Sequence, residues 1–148
     1  MALITLNKLA LPTGTIIQVT DQVVISTQQT LASSTYTDLT SATLNITPTS
    51  TSNKILLQAG INVETDTAGS GYGVKFVRDT TGIFTTSNDY LVFGQDAGDR
   101  HYSTITYVDS PSSTSQLTYK IQVSSHLSRT IKFQNSAQST FIVMEIQG

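Results

Sequence analysis

Two histidines, His101 and His126, are the side chains of this chain that titrate nearest to neutrality. A catalytic histidine needs a nucleophile and an orienting partner, and no G-x-S-x-G elbow is present to supply one. Both therefore read as surface or structural groups, and hydrolytic catalysis is not expected. The carboxylates Glu64 with Asp66, and Asp96 with Asp99, offer oxygen atoms of the kind a hard cation takes. Neither pair follows the full calcium-loop spacing, and an aspartate in a glycine-rich turn commonly accepts a hydrogen bond from its own backbone, so no metal is expected. Residues 69 to 73, GSGYG, have the composition of a phosphate loop without its lysine or its following helix, and read as a turn. The Asn45-Ile46-Thr47 sequon has meaning only on a eukaryotic secretory route. No acid pair is placed for glycoside cleavage, no cofactor is implied, and the chain is read as no enzyme. The better candidates are for recognition: Asp89, Tyr90, Arg100, His101 and Tyr102 cluster in sequence, tyrosine and arginine are favoured at binding hot spots, and a tyrosine face stacks on sugars. Scattered surface aromatics are also ordinary.

The elements that position these residues read as β. The chain has 148 residues, enough for one domain with a core of its own, and it contains 25 threonines and 18 serines, residues of strands and turns. Charged residues are 12% and the net charge is −2, so no field exists to draw in a nucleic-acid backbone or an anionic membrane. There is no cysteine, which removes disulfides and leaves the redox compartment open. The opening MALITLNKLALPTG has one lysine, Lys8, set in its middle, and its apolar run is broken, so neither a signal peptide nor a membrane span is read there.

Residues 44 to 64, LNITPTSTSNKILLQAGINVE, organise the rest. From Lys54 the residues Ile55, Leu57, Ala59, Ile61 and Val63 share one face while Lys54, Gln58, Asn62 and Glu64 share the other, which predicts a long, half-buried, central strand. Before it, residues 15 to 20 and 22 to 27 read as strands, 36 to 39 as a short apolar piece, and 44 to 47 as a short strand stopped by Pro48. After it, residues 72 to 78 form a strand, 79 to 82 a hairpin turn with positive φ assigned to Gly82, and 83 to 100 long connections. Residues 101 to 108, 116 to 123, 131 to 133 and 140 to 146 complete the strands. The last, TFIVMEI, is apolar on both faces: Phe141 and Val143 on one, Ile142, Met144 and Ile146 on the other. It must be covered twice, inside the domain or between subunits. Eight to ten short strands and no helical period predict an all-β antiparallel sandwich, jelly-roll-like, over residues 15 to 148, behind an arm of residues 1 to 14. The arm carries Leu3, Ile4, Leu6, Leu9 and Leu11 ahead of Pro12-Thr13-Gly14, and reads either as folded back on its domain or as an anchor on a neighbour.

Four segments taken together, residues 12 to 19 (PTGTIIQV), 46 to 57 (ITPTSTSNKILL), 107 to 111 (YVDSP) with the following TYKIQV, and the closing FIVMEI, resemble the β-rich terminal domains of tail-fibre and other virion-surface proteins of tailed bacteriophages, especially marine and cyanobacterial ones. The resemblance covers nearly all of residues 12 to 148. It implies a jelly-roll-like sandwich, commonly a homotrimer, that belongs to a virus particle assembled in the host cytoplasm. About a dozen residues precede the domain here, and no long shaft, which favours a capsid decoration or cement protein whose arm grips the major capsid protein or another virion protein. The alternative is a receptor-binding module of a tail fibre or tail tip that takes a host glycan or surface protein. Ile142, Met144 and Ile146 are the expected oligomer face.

Overall fold

A computed structural model of the protein describes residues 11 to 86, 91 to 135 and 137 to 148. Among these residues are twelve strands and one 3-10 turn at His126–Ser128: β1 (Ile16–Val19), β2 (Val23–Ile25), β3 (Gln29–Leu31), β4 (Thr37–Ile46), β5 (Lys54–Thr65), β6 (Ser70–Arg78), β7 (Thr81–Thr85), β8 (Val92–Gly94), β9 (Arg100–Asp109), β10 (Leu117–Ser125), β11 (Ile131–Phe133) and β12 (Ser139–Ile146). They pair antiparallel throughout, in two sheets. The seven-stranded sheet has β5 at its centre, with β9 on one flank and β12 then β11 on the other, while β1 and β2 follow one another along the far edge of β12. The five-stranded sheet runs β4-β10-β6-β7, with β8 on the start of β6. The expected all-β sandwich is the fold found.

The alternation in residues 54 to 64 decides the arrangement. Ile55, Leu57, Ala59, Ile61 and Val63 are all buried between the sheets, opposite Leu117, Tyr119, Ile121 and Val123 of β10 and Val74 and Phe76 of β6. Aromatic rings tie the two layers together. Phe76 stacks on Phe141 with centroids 6.0 Å apart, Tyr72 meets Phe133 edge-on at 5.6 Å, and Phe84 meets Tyr107 at 5.3 Å.

Several expectations change, and residues 83 to 100, expected as connections, hold the end of β7 and all of β8. The apolar piece at 36 to 39 and the short strand at 44 to 47 are one ten-residue strand, β4, with a bulge. Ser41 takes φ 64° and the register with β10 shifts, so that Leu39 and Ala42, three apart, both reach the core and the period of two is lost. Residues 79 to 82 do make a hairpin, but Arg78 pairs with Thr81, and it is Asp79, not Gly82, that has positive φ, at 55°. The glycine-rich 69 to 73 is mostly strand: Ser70 opens β6, and Gly71 and Tyr72 pair with Phe93 and Val92.

Candidate functional site

The outer face of the seven-stranded sheet is where the candidate residues gather. In antiparallel pairs, residues directly opposite each other project from the same face. Val19 of β1 faces Met144 of β12, Met144 faces Leu56 of β5, and Leu56 faces Val108 of β9, which lays one apolar row across four strands. A parallel row joins Ile16 to Ile146. Ile16, Val19, Val24 and Val108 are 45–55% exposed, whereas Leu56, Ile142, Met144 and Ile146 are half-buried. The described residues thus cover the second face of β12 only partly. Its first face, with Phe141 and Val143, is buried completely.

Beside that row the same face hollows into a concavity of about 210 Å3 lined by Gln22, Gln58, Gly60, Tyr102, Thr104, Thr140 and Ile142. Its floor is Gly60, a lone glycine in an alternating strand. Tyr102 on β9 leans across it, and a methyl group at Gly60 would overlap the phenol oxygen and the ring carbon Cζ. Tyr102 itself is 57% exposed. The lining carries no charge.

Of the expected recognition cluster, Arg100 and Tyr102 do share this outer face, since both alternate with the inward residues of β9. His101, lying between them, points the other way. Its Nε2 is buried and has no hydrogen-bond partner among the described residues, so it cannot meet a ligand together with its two neighbours. Asp89 and Tyr90 lie outside the described residues, as do Leu3, Ile4, Leu6 and Leu9 of the arm. Leu11 is half-buried, and just beyond it Gly14 donates to the Gln147 carbonyl at 2.8 Å while Gln147 donates back to Thr15.

Three of the four acids considered for a cation, Glu64, Asp66 and Asp99, are already engaged. Arg100 Nε donates to Glu64 at 2.6 Å, and this bond holds the Glu64 carboxyl below the usual glutamate range. Lys132 pairs with Asp66, which raises the lysine above its usual value. Asp99 accepts from the Asp96 backbone at 3.0 Å, as an aspartate in such a turn should. No three His, Asp or Glu come together among the described residues.

Two polar clusters that sequence reasoning passed over sit at one end of the seven-stranded sheet, on either side of Ile55. Asp109, at the end of β9, accepts two bonds from Arg78 at 2.7 and 2.9 Å and one from the Tyr119 hydroxyl at 2.7 Å, and so bridges the two sheets. Burial first, and then the neighbouring carboxylate, push the Tyr119 hydroxyl far above its usual range, which keeps it a donor. Glu145, fully buried in β12, accepts on one oxygen from Thr49 N at 2.6 Å, Thr49 Oγ1 at 2.9 Å and Asn53 Nδ2 at 2.6 Å. The signal for it was a single charge in the otherwise apolar TFIVMEI. The signal for the concavity was Gly60, because an isolated glycine inside a strand marks a close approach.

No family model and no curated protein sequence matches the chain. Solved structures do. A chain from the structure of infectious bursal disease virus, Gx strain, superimposes with a TM-score of 0.57 at 14% identity over 100% of this chain. VP2 of a subviral particle of infectious bursal disease virus superimposes with a TM-score of 0.58 at 13% identity over 97% of it. A chain of the T13 particle of the same virus gives 0.54 at 12% identity. This chain spans only 37–40% of the length of those viral chains. At such identities the likeness is one of fold: the sandwich found here is a fold used in virus particles.

Proposed function

We propose that this chain is a non-enzymatic structural protein of a virus particle, displayed on the head as a decoration or cement protein of a tailed bacteriophage, with residues 1 to 14 as its anchor on the major capsid protein or another virion protein. The observation that carries this reading is the sandwich itself, matched along the whole chain to chains of virus particles. The apolar row on the outer face supports self-association, as a homotrimer whose contact is centred on Met144 and Ile146, with Ile142, expected on the same face, at its open margin beside the concavity. A role without catalysis fits the placement of His101 inside the sandwich and the engagement of Glu64, Asp66 and Asp99 in ion pairs and turns.

The test is immunogold labelling of purified particles with an antibody raised against residues 15 to 148. Gold over the head is expected. Gold at the tail would replace this reading with that of an attachment module. Deleting residues 2 to 13 should abolish incorporation into particles while the circular dichroism of the sandwich is kept, and retained incorporation would remove the arm as the anchor.

The attachment reading, a receptor-binding module at a tail fibre or tail tip, is favoured by one observation: the uncharged concavity under Tyr102, open on an exposed face.

A further inference from the structure

We infer that the concavity between β5, β9 and β12 is a binding site for one ring of a neutral saccharide. The inference deepens the attachment reading and rests on it. Three features point to this ligand class. The first is the state of the polar side chains. Gln22, Gln58, Tyr102, Thr104 and Thr140 together offer two amides and three hydroxyls, and none of these groups is committed to a hydrogen bond with another described residue. Several polar side chains elsewhere in the fold are engaged, among them Gln29 with Asp38 and Thr40, Gln122 with Asp38, Gln134 with Ser139, and Thr20 and Thr65 with backbone carbonyls. A ring of unspent donors and acceptors around one hollow is what a polyhydroxylated ligand requires, since each sugar hydroxyl both gives and takes a hydrogen bond.

The second feature is apolar. Tyr102 and Ile142 flank the hollow, and a pyranose presents C–H groups on its faces that pack on an aromatic ring while its hydroxyls point outward. Gly60 makes the depth possible, because any side chain there would fill the floor and displace the phenol. The third feature is charge and size. The lining holds no ionised group, and the nearest cation on the same face of β9, Arg100, is held by Glu64 at 2.6 Å, so an anionic sugar would meet nothing to neutralise it. A volume of about 210 Å3 falls below the roughly 300 Å3 at which sites for drug-sized molecules begin, and suits one ring of a longer chain. Affinity for a single ring should be weak, in the millimolar range, and useful through the several copies an oligomer presents.

The test uses the purified full chain in its native oligomeric state. Saturation-transfer NMR and 15N shift changes are followed with methyl glycosides of glucose, galactose, mannose and N-acetylglucosamine, and with sialyllactose as an anionic probe. Binding by at least one neutral glycoside, with shifts in the Gln22 and Gln58 side-chain amides, is expected. Tyr102→Ala should weaken it about tenfold or more, the loss of roughly 1.4 kcal/mol that a hot-spot aromatic carries, while Tyr102→Phe keeps most of it. Gly60→Ala, which overlaps the far end of the tyrosine and presses on Thr140 Oγ1 at 3.1 Å but meets no backbone, should weaken it too. No binding by any neutral glycoside, binding by the anionic probe alone, or binding that survives Tyr102→Ala overturns the proposal. Because the protein is free in solution, these outcomes are independent of where gold falls on the particle.

Discussion

Asp109 is the residue whose removal should be felt most. It takes three hydrogen bonds in the interior from groups on two strands of the opposite sheet, and Asp109→Ala strands the buried Tyr119 hydroxyl and the part-buried Arg78 guanidinium at once. A loss of about 3–5 kcal/mol is expected, read as a lower urea midpoint at unchanged slope. A loss under about 1 kcal/mol would mean that water replaces the carboxylate freely. Two acids of the ion pairs behave differently. Hydrogen bonds from Lys120 and then Gln122 lower Asp38 from its ordinary value of 3.8, and Arg100 lowers Glu64 from 4.5. Both therefore add stability that is complete above those ordinary values and is lost as pH falls through the lower folded values. Thermal stability should decline on acidification below about pH 4.5, and less steeply in the Asp38→Asn, Glu64→Gln double variant. An unchanged acid slope in that variant would assign the decline to other carboxylates.

At the scale of the element, β5 and β10 were legible in the sequence because their alternation runs from Ile55 to Val63 and from Leu117 to Val123, and β12 because its apolar run from Phe141 to Ile146 is broken only by Glu145. β3 and β8 were not, since Gln29-Thr30-Leu31 and Val92-Phe93-Gly94 are strands by virtue of pairing with β11 and β6, partners that no local pattern announces. β4 was read as two pieces because its bulge at Ser41 resets the period. The candidate site shows the same division. Period two already separates His101 from Arg100 and Tyr102, whereas the concavity depends on the register of β5 with both β9 and β12 and could not be seen in one strand. That register also sets the oligomer test. Met144→Glu puts a charge in the middle of the row Val19, Met144, Leu56, Val108 on a half-buried side chain, so the fold should survive while the proposed trimer falls to a monomer by light scattering at micromolar concentration. A trimer that persists would take this row out of the contact.

For the whole molecule, the segments that carry the family resemblance fall at its corners. Residues 46 to 57 and the closing FIVMEI meet where Thr49 and Asn53 bind Glu145, and YVDSP and TYKIQV meet where Asp109 binds Tyr119. Those segments hold the turns against the sheets, which is why they announce a fold more clearly than an activity. The recognition surface lies elsewhere, on a face whose residues are ordinary one by one. The corner where the chain enters has a mechanical meaning as well. Gly14 donates to Gln147 and Gln147 to Thr15, and β1, four residues long, pairs among the described strands with β12 alone. A pull on the arm against the body of the sandwich therefore loads the β1–β12 ladder first, at its Ile16–Ile146 end, before any strand of the core. If the arm is the tether, β1 is its fuse: it would peel away under tension and lengthen the leash while the core between the two sheets stays closed.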